Sequence, residues 1–438
     1  MPLSLSLDAL LFGLLAAAYL ALRFALPDLP QLVPDDLRAG ALVTLAIGGY
    51  WMLDVLPRRS PLMHRIVWAG KYLAVVVTIV IIVVLPTILA INQRHQTAPY
   101  QFAHDGLMQS ESATQFMLVG RNPYTESYRD TPIGQWEFNI GGVRINPALE
   151  HYAYMPLTFM LPLPVQALAQ QWWGWFDQRW VNLLFFALML ALSTRLASDP
   201  GKQISLVIVL ALNPLFVPFL VEGRNDVLSL FWLVLTLVAM QRQRWLLAAT
   251  ALALGCVTKQ YAWFLAPFFF VYLAGQGRWA EQFERLKRPV VIFLGTAALV
   301  VLPWLLWNPV AFVGDILYFQ STPAGGGYPV SGLSAGVLLL AVGVLRSPLD
   351  PFPYWLPQLM FSLPLLFVFL RRVKVHRDLR EMLIGYGLVL FTVAFFSQFF
   401  HDNYLGYIVA VLALAWSITS TRAAQEVELW SDLQQPIP

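Results

Sequence analysis

Long apolar runs recur along the whole chain, each broken by a short polar or charged stretch. A bilayer core is crossed by roughly 20 apolar residues in a helix. Twelve segments approach that length: 3–25, 38–57, 68–92, 180–197, 203–221, 227–241, 244–258, 260–276, 289–307, 354–370, 381–400 and 404–420. Two further apolar stretches do not read as crossings. The first, 154–170, carries Pro156, Pro162 and Pro164, which remove backbone donors and bend helices; the second, 333–346, is too short. Both suit re-entrant or surface-lying helices. The pattern predicts an all-α, polytopic transmembrane helix bundle of about 12 spans.

Composition closes the competing classes. The chain is 58% hydrophobic and 12% charged, with a mean hydropathy of +0.62. Soluble domains are about 45–50% apolar and about 25% charged, so a water-soluble core is excluded. The single cysteine, Cys256, lies in an apolar run and rules out a disulfide framework or a Cys-based zinc site. A formal charge of +3 is too small to point to nucleic acid. The first apolar stretch lacks a small-residue cleavage pattern, so it is expected to be retained.

Lys and Arg collect on cytoplasmic loops. The clusters are Arg58, Arg59 and Arg65; Arg242 and Arg244; Arg285, Lys287 and Arg288; and Arg371, Arg372, Lys374, Arg377 and Arg380. Putting all of them inside predicts a multi-pass protein of the cell (plasma) membrane with both termini cytoplasmic. The long segments 93–179 and 308–353 then face outside, with the short turns at 222–226, around 259 and at 401–403. Everything that looks like chemistry lies on that one face.

The first long loop carries His104-Asp105-Gly106, and the pattern from Asp105 to Val119 predicts a short interfacial helix followed by a Gly-Arg-Asn-Pro-Tyr turn at 120–124. Asp105 is either a helix N-cap or a reactive carboxylate. Glu111 lies about 240° away around that helix, so the two acids do not converge as a glycosidase pair must. Trp172, Trp173, Trp175 and Trp180 fit an interfacial aromatic belt.

In Glu222-Gly223-Arg224-Asn225-Asp226, Asp226 could cap the next helix and Arg224 could snorkel. Lys259 could also snorkel, yet an ammonium at the mouth of a bundle would equally hold a lipid phosphate. His401 beside Asp402 could form an orienting pair. The Gly-rich segment 321–332 follows no strand and reads as a flexible external lid rather than a nucleotide cradle. No HExxH, GxSxG, P-loop or dinucleotide motif occurs, and no cluster of external acids has metal-ligand spacing.

Taken in order, Asp105, GRNPY at 120–124, YMPL at 154–157, EGRND at 222–226, TKQYAWFLAP at 258–267 and HDNYL at 401–405 resemble the integral-membrane glycosyltransferases of the GT-C superfamily. The likeness is greatest to the family-87 branch of polyprenol-phosphate-mannose-dependent alpha-mannosyltransferases. It covers about residues 68–420, making 1–67 an N-terminal pair of extra transmembrane helices, 68–420 a GT-C-like membrane catalytic domain and 421–438 a cytoplasmic tail. Met155 and Gln260 stand where that family commonly has proline, and Asp105 follows the third apolar segment rather than the first.

The resemblance implies an inverting hexosyltransferase, with mannose as the expected sugar. It would take the sugar from a polyprenyl phosphate and give it to an acceptor hydroxyl on a glycan, glycolipid or protein at the outer face. Asp105 would be the general base. Lys259, Arg224 and Arg121 would bind the donor phosphate. Asp226, His401, Asp402, Tyr404, Asn122 and Tyr124 would bind sugar or acceptor. No metal and no cofactor is implied, since the lipid-linked donor is a substrate.

Two competing classes remain at this stage. A lipid-linked sugar flippase or other transporter would place ionisable groups at the bilayer midplane, whereas Asp8, Asp54 and Lys71 lie near cytoplasmic ends. A non-catalytic scaffold has no particular use for the recurring outside charges.

Overall fold

A computed structural model describes residues 5–25, 37–136, 138–140, 143–319 and 328–418. The expected tail 421–438 and residues 321–327 of the expected lid lie outside the described residues. The described chain is predominantly helical, as the apolar periodicity predicts. Its helices are α1 (Leu7–Ala25), α2 (Leu37–Val55), α3 (Pro61–Ile79), α4 (Leu85–Gln96), α5 (Asp105–Leu118), α6 (Leu157–Met160), α7 (Leu163–Trp173), α8 (Arg179–Ser193), α9 (Pro200–Leu212) and α10 (Val217–Glu222). They continue with α11 (Asp226–Gln241), α12 (Trp245–Cys256), α13 (Ala266–Ala274), α14 (Trp279–Trp307), α15 (Pro309–Val313), α16 (Ala335–Ala341), α17 (Trp355–His376), α18 (Leu379–Phe395) and α19 (Asp402–Ser417).

Helix starts follow local chemistry. Ser60 precedes Pro61 and accepts the Met63 amide at 3.2 Å, and Asp199 precedes Pro200 and accepts the Lys202 amide at 2.8 Å. Both pair a capping oxygen with a proline whose missing donor is no loss at that position.

Where about 12 spans are expected, three helices among the described residues are long and apolar enough to cross a membrane by length and composition: Pro61–Gln96, Trp279–Trp307 and Trp355–His376. The first runs through a π turn at Val80–Val84 just before Pro86, which lets it absorb the missing proline donor. The second carries Arg285, Lys287 and Arg288 on its first turns, so that basic cluster sits on a helix rather than in a loop.

The other segments are shorter, and α11 with 16 residues spans only about 24 Å. The expected span 203–221 divides into α9 and α10 because Asn213 precedes a proline, leaves the helical region and accepts the Leu215 amide at 3.0 Å. The stretch 154–170 is also broken, into α6 and α7, and 333–346 yields only the seven-residue α16.

The chain divides into two compact units. The first comprises Met1–Phe138, Ala148–Glu150 and Phe159–Leu228. Within it, α1 packs on α2 and α9, α3 on α2 and α9, α8 on α9, and α5 on α7. Lys71, fully buried, lies 2.6 Å from Asp8 and 2.5 Å from Asp54, and the Tyr50 hydroxyl donates to Asp8 at 2.6 Å. A buried cation with two carboxylates is tolerated because it is paired and hydrogen-bonded; here it pins α1, α2 and α3 together.

The second unit comprises Asn139–Pro147, His151–Thr158 and Ser229–Pro438. In it α12 packs on α14, α13 on α14 and α17, α17 on α18, and α18 on α19. The segment Ser331–Gly332 pairs in parallel with Phe399–Phe400. Gly332 is obligatory there: its φ is +73°, and a Cβ would stand 2.2 Å from the Phe400 carbonyl oxygen.

Candidate active site

In the first unit, His104 rather than Asp105 occupies the N-cap of α5. Asp105 is the first helical residue, where the unsatisfied amides and the helix dipole favour an anion. Its Oδ1 accepts the Gly106 amide at 2.6 Å and lies 2.6 Å from His104 Nδ1. The same Nδ1 is 3.1 Å from the Gly106 amide, so it either accepts that proton or donates its own to Asp105, one role at a time.

Asp105 is 3% exposed. Burial alone would raise its pKa, but the charge and hydrogen bond of His104, the Gly106 amide and the Arg224 charge prevail and hold it below the ordinary aspartate value.

The turn that supplies Arg224 is fastened to the start of α5. The His104 amide donates to the Glu222 carbonyl at 3.0 Å. Gly223 has φ +98°, and a Cβ there would lie 2.0 Å from Leu107 Cδ1, so only glycine lets the turn approach so closely. Arg224 pairs with Glu222 at 3.3 Å and lies over the Phe219 ring. Asp226 is buried as the first residue of α11.

Sequence reasoning missed what holds these two loops. Arg179, fully buried on the first turn of α8, donates to the Phe102 carbonyl at 2.7 Å and to the Val221 carbonyl at 3.3 Å. One turn on, Asn182 Nδ2 reaches the Gly223 carbonyl at 3.3 Å. Asp177 holds Arg179 through bonds of 2.9 and 2.7 Å and also accepts from Arg94 at 2.9 Å. Arg94 in turn grips Glu111 with two parallel bonds of 3.0 and 2.7 Å.

Glu111 therefore faces away from Asp105, as its helical position predicts. Burial pushes its pKa up, and nearby Asp177 adds to this; the cations beside Asp177 keep that carboxyl low despite its own burial.

The GRNPY turn is structural in this unit. Asn122 is buried and its Oδ1 accepts the Tyr124 amide at 3.1 Å, capping a short 3-10 turn. Tyr124 is buried edge-on against Phe159, and Arg121 is exposed, ion-paired with Glu126 and placed over Phe116.

The second unit gathers three other motifs. Lys259 is 7% exposed and its Nζ lies 4.7 Å from the ring centre of Tyr261, 5.8 Å from that of Tyr404 and 5.9 Å from that of Tyr154. A cation so placed is held by the negative faces of the rings. The Leu157 amide donates to the Val257 carbonyl at 3.0 Å, and Gln260 Nε2 to the Ala153 carbonyl at 3.4 Å. These bonds lay the YMPL segment on the Lys259 turn.

His401 caps α19 by position, with its ring 6.0 Å from that of Tyr404, and Asp402 is exposed on the first turn. Sequence reasoning also overlooked His151, whose Nδ1 lies 2.7 Å from Asp315 Oδ1; the other oxygen of Asp315 accepts the Tyr152 amide at 2.8 Å. Burial pushes the Asp315 carboxyl up to about 6, against the pull of the Tyr152 amide and His151.

Residues 111–275 match the model of the MptA_B family, described as the N-terminal domain of an alpha-(1->6)-mannopyranosyltransferase. The matched region contains Arg121, Asn122, Tyr124, Arg224, Asp226 and Lys259, and it begins six residues after Asp105. No curated protein matches the chain. The match agrees with the resemblance read from the motifs and supports a glycosyltransferase.

Proposed function

We propose that the protein transfers a mannosyl residue from a polyprenyl-phosphate donor to an acceptor hydroxyl at the outer face of the membrane, inverting the anomeric carbon, with Asp105 as general base. The observation that carries this reading is that Asp105, buried at the start of α5 and its pKa held low by His104, the Gly106 amide and the Arg224 charge, sits on a loop bonded to the turn that carries Arg224. The mannosyltransferase match supports the reaction class.

The acceptor oxygen bonds to the anomeric carbon as the bond from that carbon to the phosphate oxygen breaks. The hydroxyl proton passes to the Asp105 carboxylate, and the electron pair leaves on the polyprenyl phosphate. A carboxylate already ionised at neutral pH is ready for that proton once it lies within hydrogen-bond reach of it. Phosphate is a good leaving group and needs cations rather than an acid, because negative charge grows on its oxygens in the transition state.

Arg224 is the cation next to the base. Lys259 is a second phosphate holder, and Arg121, committed to Glu126 at the surface, a third. Asp226, His401, Asp402 and Tyr404 are assigned to sugar and acceptor hydroxyls, whereas Asn122 and Tyr124 are committed to the turn itself. The donor needs apolar surface for its tail, and the apolar windows of Trp279–Trp307 and Trp355–His376 are only 11% buried within the protein. Bare apolar helix faces of this kind are what lipid chains cover.

The test is transfer of labelled mannose from polyprenyl phosphate mannose by the purified protein in detergent or nanodiscs, with an α-linked mannoside as acceptor. The reading predicts a labelled product of inverted linkage relative to the donor. Absence of transfer from any polyprenyl-phosphate sugar contradicts it.

A further inference from the structure

The first unit holds a cavity of about 630 Å³ that contains none of the residues assigned to the reaction. Its walls come from α5, α7 and the end of α4, and Ser112, Gln115, Phe116, Gln166 and Gln170 contribute. Ligand pockets span roughly 300–1,000 Å³. At about 30 Å³ per water, this cavity has room for about 20 waters, comparable with the heavy-atom count of a disaccharide.

Apart from Arg94, Glu111 and the exposed Asp130 the lining is uncharged, which favours a neutral, hydroxyl-rich ligand. Arg94 is the cation at its floor, and Glu111, Asp177 and the Pro99 carbonyl already occupy its guanidinium, so it offers little to an anion. Glutamine amides, each with a donor and an acceptor on one plane, match vicinal hydroxyls. Gln170 donates to Gln115 at 2.8 Å, which commits one donor and one acceptor and keeps the complementary ones for a ligand.

Gln166 is 3% exposed; its Nε2 donates to the Glu111 carbonyl at 3.3 Å, while its Oε1 has no hydrogen-bond partner among the described residues. A buried acceptor left in this state costs about 1–3 kcal/mol, so it calls for a donor such as a ligand hydroxyl. Phe116, whose ring also carries Arg121, and Phe176 add apolar surface for the C–H side of a pyranose.

Gln115 stands ten residues after Asp105 on the same helix, about 15 Å along its axis. We propose that this cavity is a saccharide subsite that holds neutral hexose units of the acceptor glycan away from the reacting hydroxyl. The assignment of those units to the acceptor rests on the transferase reading above. Binding of such remote units supplies free energy that can be used at the reacting centre.

The experiment is calorimetric titration of α-(1→6)-linked mannotriose into the full-length protein in nanodiscs, in three forms: wild type, Gln115→Ala and Gln170→Ala. Gln115 is exposed and Gln170 half-buried, so their truncation leaves the core intact. The expected result is that Gln115→Ala and Gln170→Ala each weaken binding at least 5-fold. Mannotriose affinity equal in wild type and both glutamine variants, or no binding to wild type, overturns the subsite. Binding retained alongside failed transfer would sink the transferase reading and leave the saccharide subsite standing.

Discussion

The backbone amide of His104 donates to the Glu222 carbonyl at 3.0 Å, tying the loop that carries Asp105 to the turn that carries Arg224. One hydrogen bond contributes only about 0.5–1.5 kcal/mol. It counts here because Arg179, Asn182 and the contact between Gly223 and Leu107 hold the same two loops from other directions.

Gly223→Ala is expected to destabilise the protein and reduce transfer together. The new methyl would meet Leu107 Cδ1 at 2.0 Å on a backbone with φ +98°, and a strained φ alone costs about 1–3 kcal/mol. Thermal unfolding should show a lower midpoint, and adding Leu107→Ala should recover part of the loss. A fully additive pair of substitutions would mean that the two sites do not press on each other.

Arg179→Met should cost up to about 3–5 kcal/mol of stability, because it strips buried Asp177 of one of its two cationic partners and two buried carbonyls of their donor. Combining it with Asp177→Asn should return part of that stability. The double variant should still transfer slowly, since the Phe102 and Val221 carbonyls remain without their shared donor. Unfolding midpoints and kcat measured on both variants check this.

Asp315 predicts a pH dependence of opposite sign to the usual carboxylate. Its pKa is about 6 in the folded protein against about 3.9 for an ordinary aspartate, so between those pH values the native state binds the proton that the unfolded state has lost. Stability from this group is therefore greatest below pH 4 and declines as pH rises toward 6, by at most about 3 kcal/mol. Asp315→Asn should flatten that decline when unfolding is followed across pH 4 to 7; an unchanged slope would show that the group does not titrate there.

Lys259→Met should lower kcat/KM for the lipid donor by about 100-fold or more if the ammonium meets the leaving phosphate, the scale of losing one preorganised charge donor. Lys259→Arg should recover only part, because the surrounding tyrosine rings are spaced for a compact ammonium. A variant with wild-type kcat/KM would leave Lys259 a structural cation.

Local pattern made a good part of this legible. The helix expected from Asp105 to Val119 is α5, ending one residue earlier, because capping and apolar spacing are short-range signals. The break at Asn213-Pro214 was written in the residues too, but apolarity masked it when 203–221 read as one span. Arg179 and Asn182 gave no signal, since each acts on groups distant along the chain. The motifs marked Tyr154, Lys259 and Tyr404 separately; only the fold places the rings of Tyr154 and Tyr404 around one ammonium.

The most direct test of the central claim is single-turnover transfer of labelled mannose from polyprenyl phosphate mannose by Asp105→Asn beside wild type, with unfolding midpoints matched to show that both are folded. Asparagine keeps the shape of the side chain and cannot take the proton, so the chemical step should slow by about 100- to 10,000-fold while donor binding persists. A folded Asp105→Asn protein that transfers mannose at the wild-type rate would contradict the assignment of Asp105 as the base.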